Sequence, residues 1–344
     1  MALETIDLIA GPSAPKLPLA DAFARPITYL RVSVTDRCNL RCVYCMPEAG
    51  LPWIPNAEIL SFDEIERIVR AAAAVGVRSI RLTGGEPLVR PDLPDLVRRL
   101  AAIDGIDDIA LSTNGLLLAD WVVELARVGL RRANISLDTL RPDRFEAIAR
   151  RPGLERVLEA IDASLAAGLE PVKVNCVVMR GSNEDEIEAF AELTHDRPIF
   201  VRFIEMMPVL ENAAAQRDAY VSADEIVERL GAIGTLRPDA GPPGNGPARY
   251  FRYAGAAGAV GVISPLSHDY CETCNRVRLS ASGRLRLCLF GDYEIDFRTH
   301  VRDGAGIEEL VTLFRGGMTI KPERHHLRLG EPASRMRALS EIGG

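Results

Sequence analysis

Tyr29-Leu30-Arg31-Val32-Ser33-Val34, followed at once by Thr35-Asp36-Arg37-Cys38-Asn39-Leu40-Arg41-Cys42-Val43-Tyr44-Cys45-Met46-Pro47, is the stretch from which the rest of the chain is best read. Its first six residues form a short apolar run rich in β-branched side chains, a strand signal. The cysteines that follow are spaced C-x3-C-x2-C and can wrap one iron–sulfur cube or one zinc ion, because thiolates are the soft ligands both prefer. Four thiolates would close a 4Fe-4S cube, whereas three leave one iron open to a small molecule. A zinc site with its fourth ligand elsewhere and a metal-free surface cluster are the alternatives, although no histidine lies nearby to complete a Cys3His set.

From Tyr29 onward such runs alternate with amphipathic stretches of helical period, the pattern of βα units repeated around a parallel sheet. Strands are expected near 29–34, 78–83, 107–112, 131–137, 171–178 and 199–204. Helices are expected near 62–75, 92–102, 118–128, 154–167 and 183–195, with Ser61 as N-cap of the first, and a short one near 222–231. Six units fall short of the eight and roughly 250 residues of a closed barrel. The fold class expected is therefore α/β: an incomplete (β/α)6 TIM-type barrel, laterally open, closed in part by a smaller C-terminal α+β region. Residues 1–23, rich in Ala, Pro and Leu without a period, read as a loosely ordered extension. Residues 24–240 read as the partial barrel and 241–344 as the C-terminal region, divided at the Pro/Gly run Pro238-Asp239-Ala240-Gly241-Pro242-Pro243-Gly244-Asn245-Gly246-Pro247.

A net charge of −7 argues against nucleic acid or anionic membrane as a partner, since both reward a basic face. Any anionic ligand must be met by locally clustered arginines. Six of the seven cysteines fall in two tight groups, and the tails show neither a signal peptide nor a membrane-length apolar span. This reads as a reducing, cytoplasmic compartment with metal ligands rather than disulfides. Cys176, alone in Val172-Lys173-Val174-Asn175-Cys176-Val177-Val178, reads as a small core residue.

In parallel α/β folds the chemistry sits where strands end and loops begin. Gly84-Gly85-Glu86-Pro87 follows the second strand; its glycines permit close backbone approach and Glu86 could hold an ammonium group, with a plain βα turn as the alternative. Thr113-Asn114-Gly115 and Ser136-Leu137-Asp138 end the next two strands and either bring small hydroxyls to the same rim or cap turns. Cys271-Glu272-Thr273-Cys274-Asn275-Arg276-Val277-Arg278-Leu279 and Cys288 make a second trio, C-x2-C-x13-C. His268 could complete a Cys3His zinc site there, so spacing leaves zinc and iron–sulfur equally open. Arg276 and Arg278, then Arg284 and Arg286, alternate with apolar residues, so each strand of a hairpin turns its guanidiniums to one face. Such a face is either a solvated edge or a surface for bidentate phosphate contacts.

The first trio, with Tyr44 before its last cysteine and the Gly84-Gly85-Glu86-Pro87 turn behind it, resembles the radical S-adenosylmethionine superfamily. There the open iron chelates the amino and carboxylate groups of S-adenosylmethionine, and one electron releases a 5′-deoxyadenosyl radical that abstracts a substrate hydrogen. Adding the second trio, the Asn275-Arg276-Val277-Arg278 run and the Gly343-Gly344 terminus, the chain from about Leu30 to its end resembles the GTP 3′,8-cyclase family of molybdenum cofactor biosynthesis, the protein A family of that pathway. The resemblance implies two 4Fe-4S clusters, on Cys38, Cys42 and Cys45 and on Cys271, Cys274 and Cys288, with GTP beside the second. It implies abstraction of the ribose C3′ hydrogen, attack of the C3′ radical on guanine C8, and a cyclic triphosphate product. Tyr44, Gly85, Thr113, Ser136 and Met207 would line the S-adenosylmethionine site, and Arg31, Arg81, Lys173, Arg276 and Arg278 would meet GTP. Catalytic roles would fall to Arg276, Arg278, Gly343 and Gly344. Further implied are a reductase or a flavodoxin- or ferredoxin-type electron donor, cyclic pyranopterin monophosphate synthase as acceptor of the product, and a monomer or homodimer. A peptide-modifying dehydrogenase with an auxiliary cluster, usually richer in C-terminal cysteines, and a non-enzymatic electron-transfer or zinc protein are the competing readings.

Overall fold

Six parallel strands pair in chain order at the centre of one sheet: β1 (Tyr29–Ser33), β2 (Ser79–Thr83), β3 (Asp108–Thr113), β4 (Arg132–Ser136), β5 (Val172–Val178) and β6 (Ile199–Glu205). The computed structural model describes residues 18–208, 217–291, 293–329 and 339–343. Between the strands run α1 (Phe62–Ala74), α2 (Leu93–Ala101), α3 (Leu118–Arg127), α4 (Pro142–Ala149), α5 (Leu154–Ala166) and α6 (Ile187–Asp196). Helix α1 shows why these segments are helical: Ile65, Ile68, Val69 and Ala72 recur on one face and are buried, and Ser61 opens it with a reciprocal capping box to Glu64. Helix α4 is absent from the sequence expectation, because its eight residues, led by Pro142, are too few to show a period.

Each strand turns aliphatic residues outward against the helices and polar ones inward. In β2, Ile80 and Leu82 join the core while Ser79, Arg81 and Thr83 face the lumen, and all five are buried. A polar inner face is what a barrel needs to receive a charged ligand.

The second half of the chain extends this sheet at both ends. Helix α7 (Ala223–Ile233) leads to β7 (Leu236–Asp239), β8 (Arg249–Tyr253) and β9 (Ala259–Ile263), with β9 parallel to β6. Strand β10 (Arg276–Leu279) pairs parallel to β1 and continues antiparallel to β11 (Arg284–Arg286) and β12 (Glu294–Asp296). Helices α8 (Phe297–Arg302), α9 (Ile307–Met318) and α10 (Leu339–Ile342) follow. The order β12-β11-β10-β1-β2-β3-β4-β5-β6-β9-β8-β7 leaves the sheet unclosed. A single core cluster reaches from Leu19 to Met318, so the division at 240/241 separates stretches of sequence that share one sheet and one core.

Residues 18–23 are not loose, contrary to the sequence expectation for 1–23. Leu19 is 2% exposed, its N–H donates to Val75 at 2.7 Å, and Asp21 accepts from Arg25 Nε at 2.6 Å. One apolar side chain and one buried ion pair suffice to hold a segment whose composition shows no period. Residues 1–17 lie outside the described residues.

Candidate active site

The loop after β1 carries Cys38, Cys42 and Cys45 at the C-terminal rim of the sheet, and backbone docking fixes it there. Gly85 N donates to Thr35 O and Glu86 N to Arg37 O, both at 2.8 Å, while Arg41 and Val43 donate to Ala149 and Ile148 of α4 at 3.0 Å. A Cβ on Gly85 would stand 2.2 Å from Arg37 O, so this glycine admits the cysteine loop itself.

Glu86 has a structural role that the sequence did not show. Its carboxylate is 1% exposed and already engaged: Oε1 accepts from Leu88 N at 3.0 Å and Thr113 Oγ1 at 2.8 Å, and Oε2 from Asn114 N at 2.7 Å. It cross-braces two rim motifs, and one acceptor position remains on Oε2. Burial raises its pKa to about 7 against the pull of these hydrogen bonds. Thr113 is likewise spent, donating to Glu86 and accepting from Gly115 N at 3.1 Å.

Tyr44 and Ser136 share a small cleft with Leu40, Cys42, Asn114 and Asp138. Tyr44 donates to Asp138 Oδ2 at 2.7 Å, and burial raises Asp138 to about 6, with the bonds from Tyr44 and Val177 N pulling the other way. Asp138, which the sequence leaves as part of either a rim motif or a turn cap, is what orients Tyr44. Met207 follows β6 half-buried, and its neighbour Met206 packs with Ile148, Met179 and Tyr44. Cys176 is 2% exposed in the core, as its setting suggested. Burial pushes the Cys38 and Cys42 thiols up and Cys45 to about 12, so metal loading must displace protons.

Below this rim, register gathers cations on the inner face. Arg31 lies between Arg81 and Arg278 on neighbouring strands, Arg132 begins β4, and Lys173 and Arg202 follow on β5 and β6. Tyr29 sits among them, its hydroxyl bonded to Arg81 Nε and its ring flanked by the Arg81 and Arg276 guanidiniums at 5.6 and 5.8 Å. Lys173 is driven down to about 6 by burial first, then by Arg202, Arg81 and Arg132. Arg132 and Arg202 were not foreseen. The signal for them is an arginine on the inward phase of a strand whose outward phase is aliphatic.

The second trio lies at the opposite ends of the strands from the first: Cys271 and Cys274 precede β10, which pairs with β1, and Cys288 follows the antiparallel β11. Cys271, Cys274 and Cys288 line one cleft with Tyr270, Arg276, Arg278, Phe290 and His325. Lys321 donates to Cys274 Sγ at 3.7 Å, and together with Arg276 it outweighs burial and lowers that thiol's pKa. Arg25 clamps the cleft from behind, donating to Cys271 O and Glu323 O at 2.6 Å and to Pro322 O at 2.7 Å. His268 is no zinc ligand here, since its Nε2 lies 2.9 Å from Asp224 on the surface. Arg284 and Arg286 do not extend the anion surface: they pair with Asp296 at 2.8 Å and Glu294 at 2.6 Å on β12. The described end of the tail meets two of the inner-face arginines. Gly343 O accepts from Arg278 Nη1 at 2.5 Å and Arg31 Nε at 3.3 Å, and Ile342 behind it is fully buried. Gly344 lies outside the described residues.

The six clustered thiols are free, and among the described residues no three His, Cys, Asp or Glu side chains converge tightly enough for a single metal ion. Three soft donors at each end, with N–H groups directed at Cys38 and Cys274 sulfur, fit an iron–sulfur cluster at both. The Radical SAM superfamily model matches residues 32–194 and the Molybdenum Cofactor Synthesis C model residues 199–327. The chain is 51% identical over 327 residues to the GTP 3′,8-cyclase of Pelotomaculum thermopropionicum, covering 95% of this chain and 100% of that protein. It is 50% identical to that of Heliobacterium modesticaldum over the same shares of both chains. Among solved structures, Streptococcus suis SuiB bound to S-adenosylmethionine aligns over 77% of this chain and 60% of its own length, with TM-score 0.53 and 16% identity, a likeness of fold. On these grounds the chain belongs to the GTP 3′,8-cyclase family within the radical S-adenosylmethionine superfamily.

Proposed function

We propose that the chain converts GTP to (8S)-3′,8-cyclo-7,8-dihydroguanosine 5′-triphosphate, the first step of molybdenum cofactor biosynthesis, as a carbon–carbon bond-forming lyase. The observation that carries this is a buried cationic lumen, in a protein of net charge −7, lying between two free cysteine trios. Cys38, Cys42 and Cys45 hold one 4Fe-4S cluster and Cys271, Cys274 and Cys288 the other. When bound, the first cluster and S-adenosylmethionine supply the 5′-deoxyadenosyl radical that takes the ribose C3′ hydrogen.

The chain's own residues bind and orient. Arg31, Arg81 and Lys173 neutralise the triphosphate, about four negative charges that an acidic protein must offset locally. Arg276 and Arg278 hold the nucleotide beside the second trio, and Gly343 completes the pocket wall. Tyr44 and Ser136, which share a cleft with Cys42, would face S-adenosylmethionine when it is bound. Gly85 and Thr113 contribute by seating the loop, and Met207 by closing its flank. A flavodoxin, ferredoxin or reductase as electron donor, cyclic pyranopterin monophosphate synthase as product acceptor, and a cytoplasmic setting belong to the same reading; no helix among the described residues is long and apolar enough to cross a membrane.

The test is anaerobic turnover with dithionite, S-adenosylmethionine and GTP. The wild type should form 5′-deoxyadenosine and the cyclic nucleotide, while Cys42→Ala should form neither and keep iron only at the C-terminal trio. Undiminished 5′-deoxyadenosine from Cys42→Ala would overturn the assignment.

A further inference from the structure

The outer side of the first cysteine loop is a cationic surface on a protein whose net charge is −7. Cys42 and Tyr44 line their cleft with Asp138, while Val43 between them is 37% exposed. The arm that follows folds back against the loop. Ile54 N donates to Asp36 Oδ2 and Arg37 Nη2 to Asn56 Oδ1, both at 2.6 Å, and the Trp53 ring, also 37% exposed, lies 5.3 Å from the Arg41 guanidinium. From the end of α4, Arg150 Nη1 donates to the Arg41 and Met46 carbonyls at 3.3 and 3.1 Å, with Arg151 exposed beside it. These contacts join Arg37, Arg41, Arg150 and Arg151 into one surface with Val43 and Trp53.

The four arginines bond only neutral oxygens. Arg41 donates to Cys38 O and Leu40 O, Arg37 to an amide, and Arg150 and Arg151 to carbonyls. Among the described residues no carboxylate pairs with any of them. Outer arginines on the helices are met by acids instead: Arg70 by Glu66 at 2.7 Å, Arg156 by Asp120 and Arg180 by Glu225 at 2.6 Å. Glu48 is the one acid between Arg37 and Asn56. Positive charge left uncancelled around two exposed apolar side chains has the make-up of a docking surface, an apolar centre with a charged border.

We propose that this face receives a small acidic one-electron carrier protein of the flavodoxin or ferredoxin kind, steered into place by Arg37 and Arg151. The proposal rests on the reading above, in which cleavage of S-adenosylmethionine consumes one electron. Val43 adjoins Cys42, so a carrier seated on it stands one residue from a cluster ligand. The carrier is oxidised by one electron and the cluster on Cys38, Cys42 and Cys45 is reduced by it, with no atom exchanged. An acidic carrier is repelled by the rest of an acidic protein and drawn to this face, an attraction that salt screens beyond about 8 Å at physiological ionic strength.

The experiment uses anaerobic holoenzyme as wild type, as Arg37→Glu/Arg151→Glu and, for control, as Arg237→Glu/Arg249→Glu, which reverses two exposed arginines of β7 and β8. Calorimetry measures the Kd of oxidised flavodoxin and of oxidised ferredoxin at low and high salt. Formation of 5′-deoxyadenosine is then driven by the reduced carrier or by dithionite. The wild type should bind one of the carriers, more weakly at high salt. Arg37→Glu/Arg151→Glu should bind it about tenfold more weakly or worse and slow with the carrier alone, while its dithionite rate and the control variant match the wild type. Equal carrier affinity in the two double variants, or a wild type that binds neither carrier, would overturn the docking surface. Loss of a homodimer in Arg37→Glu/Arg151→Glu with carrier affinity intact would also overturn it and give the face to a second copy. Should that variant lose iron or melt early, Arg151→Gln carries the same comparison. A wild type that forms no 5′-deoxyadenosine with dithionite sinks the radical reading itself.

Discussion

Replacing Glu86 separates two roles that its motif alone cannot distinguish, a brace within the protein and a ligand for an ammonium group. The carboxylate accepts three hydrogen bonds, two on Oε1 from Leu88 N and Thr113 Oγ1 and one on Oε2 from Asn114 N. Glu86→Gln keeps one oxygen, which best serves the pair on Oε1, and sets its amide against the Asn114 N–H now bonded at 2.7 Å. One bond is lost and two donors face each other, a cost of about 1–3 kcal/mol. Glu86→Ala strands all three donors, roughly 3–9 kcal/mol by the same figure. Against a total stability of about 5–15 kcal/mol, the alanine variant should barely fold and the glutamine variant should fold with a lower midpoint. Urea unfolding of metal-free protein under nitrogen measures both. The pH dependence adds a second readout. Glu86 is raised from 4.5 to about 7 in the folded state, so the native protein binds more protons than the unfolded chain across that interval and this group's contribution to stability is lost as pH rises through it. That descending limb should flatten in Glu86→Gln. A glutamine variant with wild-type stability at every pH but no S-adenosylmethionine binding would refute the brace and restore the ammonium ligand.

Lys173, depressed from 10.5 to about 6 by burial and neighbouring cations, should regain its proton when a triphosphate enters, so GTP binding at pH 7.5 should take up close to one proton, detected calorimetrically in buffers of different ionisation enthalpy and absent from Lys173→Met. In the ligand-free protein the same shift has the opposite sign to that of Glu86: the unfolded chain binds the extra proton between about pH 6 and 10.5, and this group's contribution to stability rises with pH there. Deleting Gly343 and Gly344 should abolish cyclisation while iron content, melting temperature and S-adenosylmethionine cleavage largely persist, and Gly343→Ala should approach the deletion because its Cβ would stand 2.3 Å from Thr83 Cγ2. Arg25→Met, which removes the clamp behind Cys271, should lower iron at the C-terminal trio selectively, read by iron quantitation alongside Cys42→Ala.

The strands β1 to β6 were legible because each carries an aliphatic outward phase, and Ser61 was legible because a capping box is written in four consecutive residues. What escaped was decided by partners distant in sequence. Strands β7 to β9 were passed over because a Pro/Gly run interrupts them, yet they complete one edge of the sheet. Glu86 reads locally as an open carboxylate, and only the arrival of Thr113 and Asn114 engages it. The arginine hairpin makes the point most sharply. Arg276-Val277-Arg278 and Arg284-Leu285-Arg286 present the same alternation, and the sequence alone lets both be either a solvated edge or an anion-binding face. On β11, however, Arg284 and Arg286 meet the acids of β12, and the Arg286–Glu294 pair is 1% exposed on both sides. A buried pair of that kind resists opening, since removing one partner costs about 3–5 kcal/mol. On β10 no acid among the described residues pairs with them: Arg276 lies against the rings of Tyr29 and Tyr270, and Arg278 against the Gly343 carbonyl. A neutral ring or carbonyl satisfies part of a guanidinium without cancelling its charge, which keeps β10 available to a phosphate or a purine while β11 is committed to the fold. Whether an R-x-R strand binds or braces is therefore settled by the residues that pair across from it, and strand pairing at such distances is not written in the strand itself.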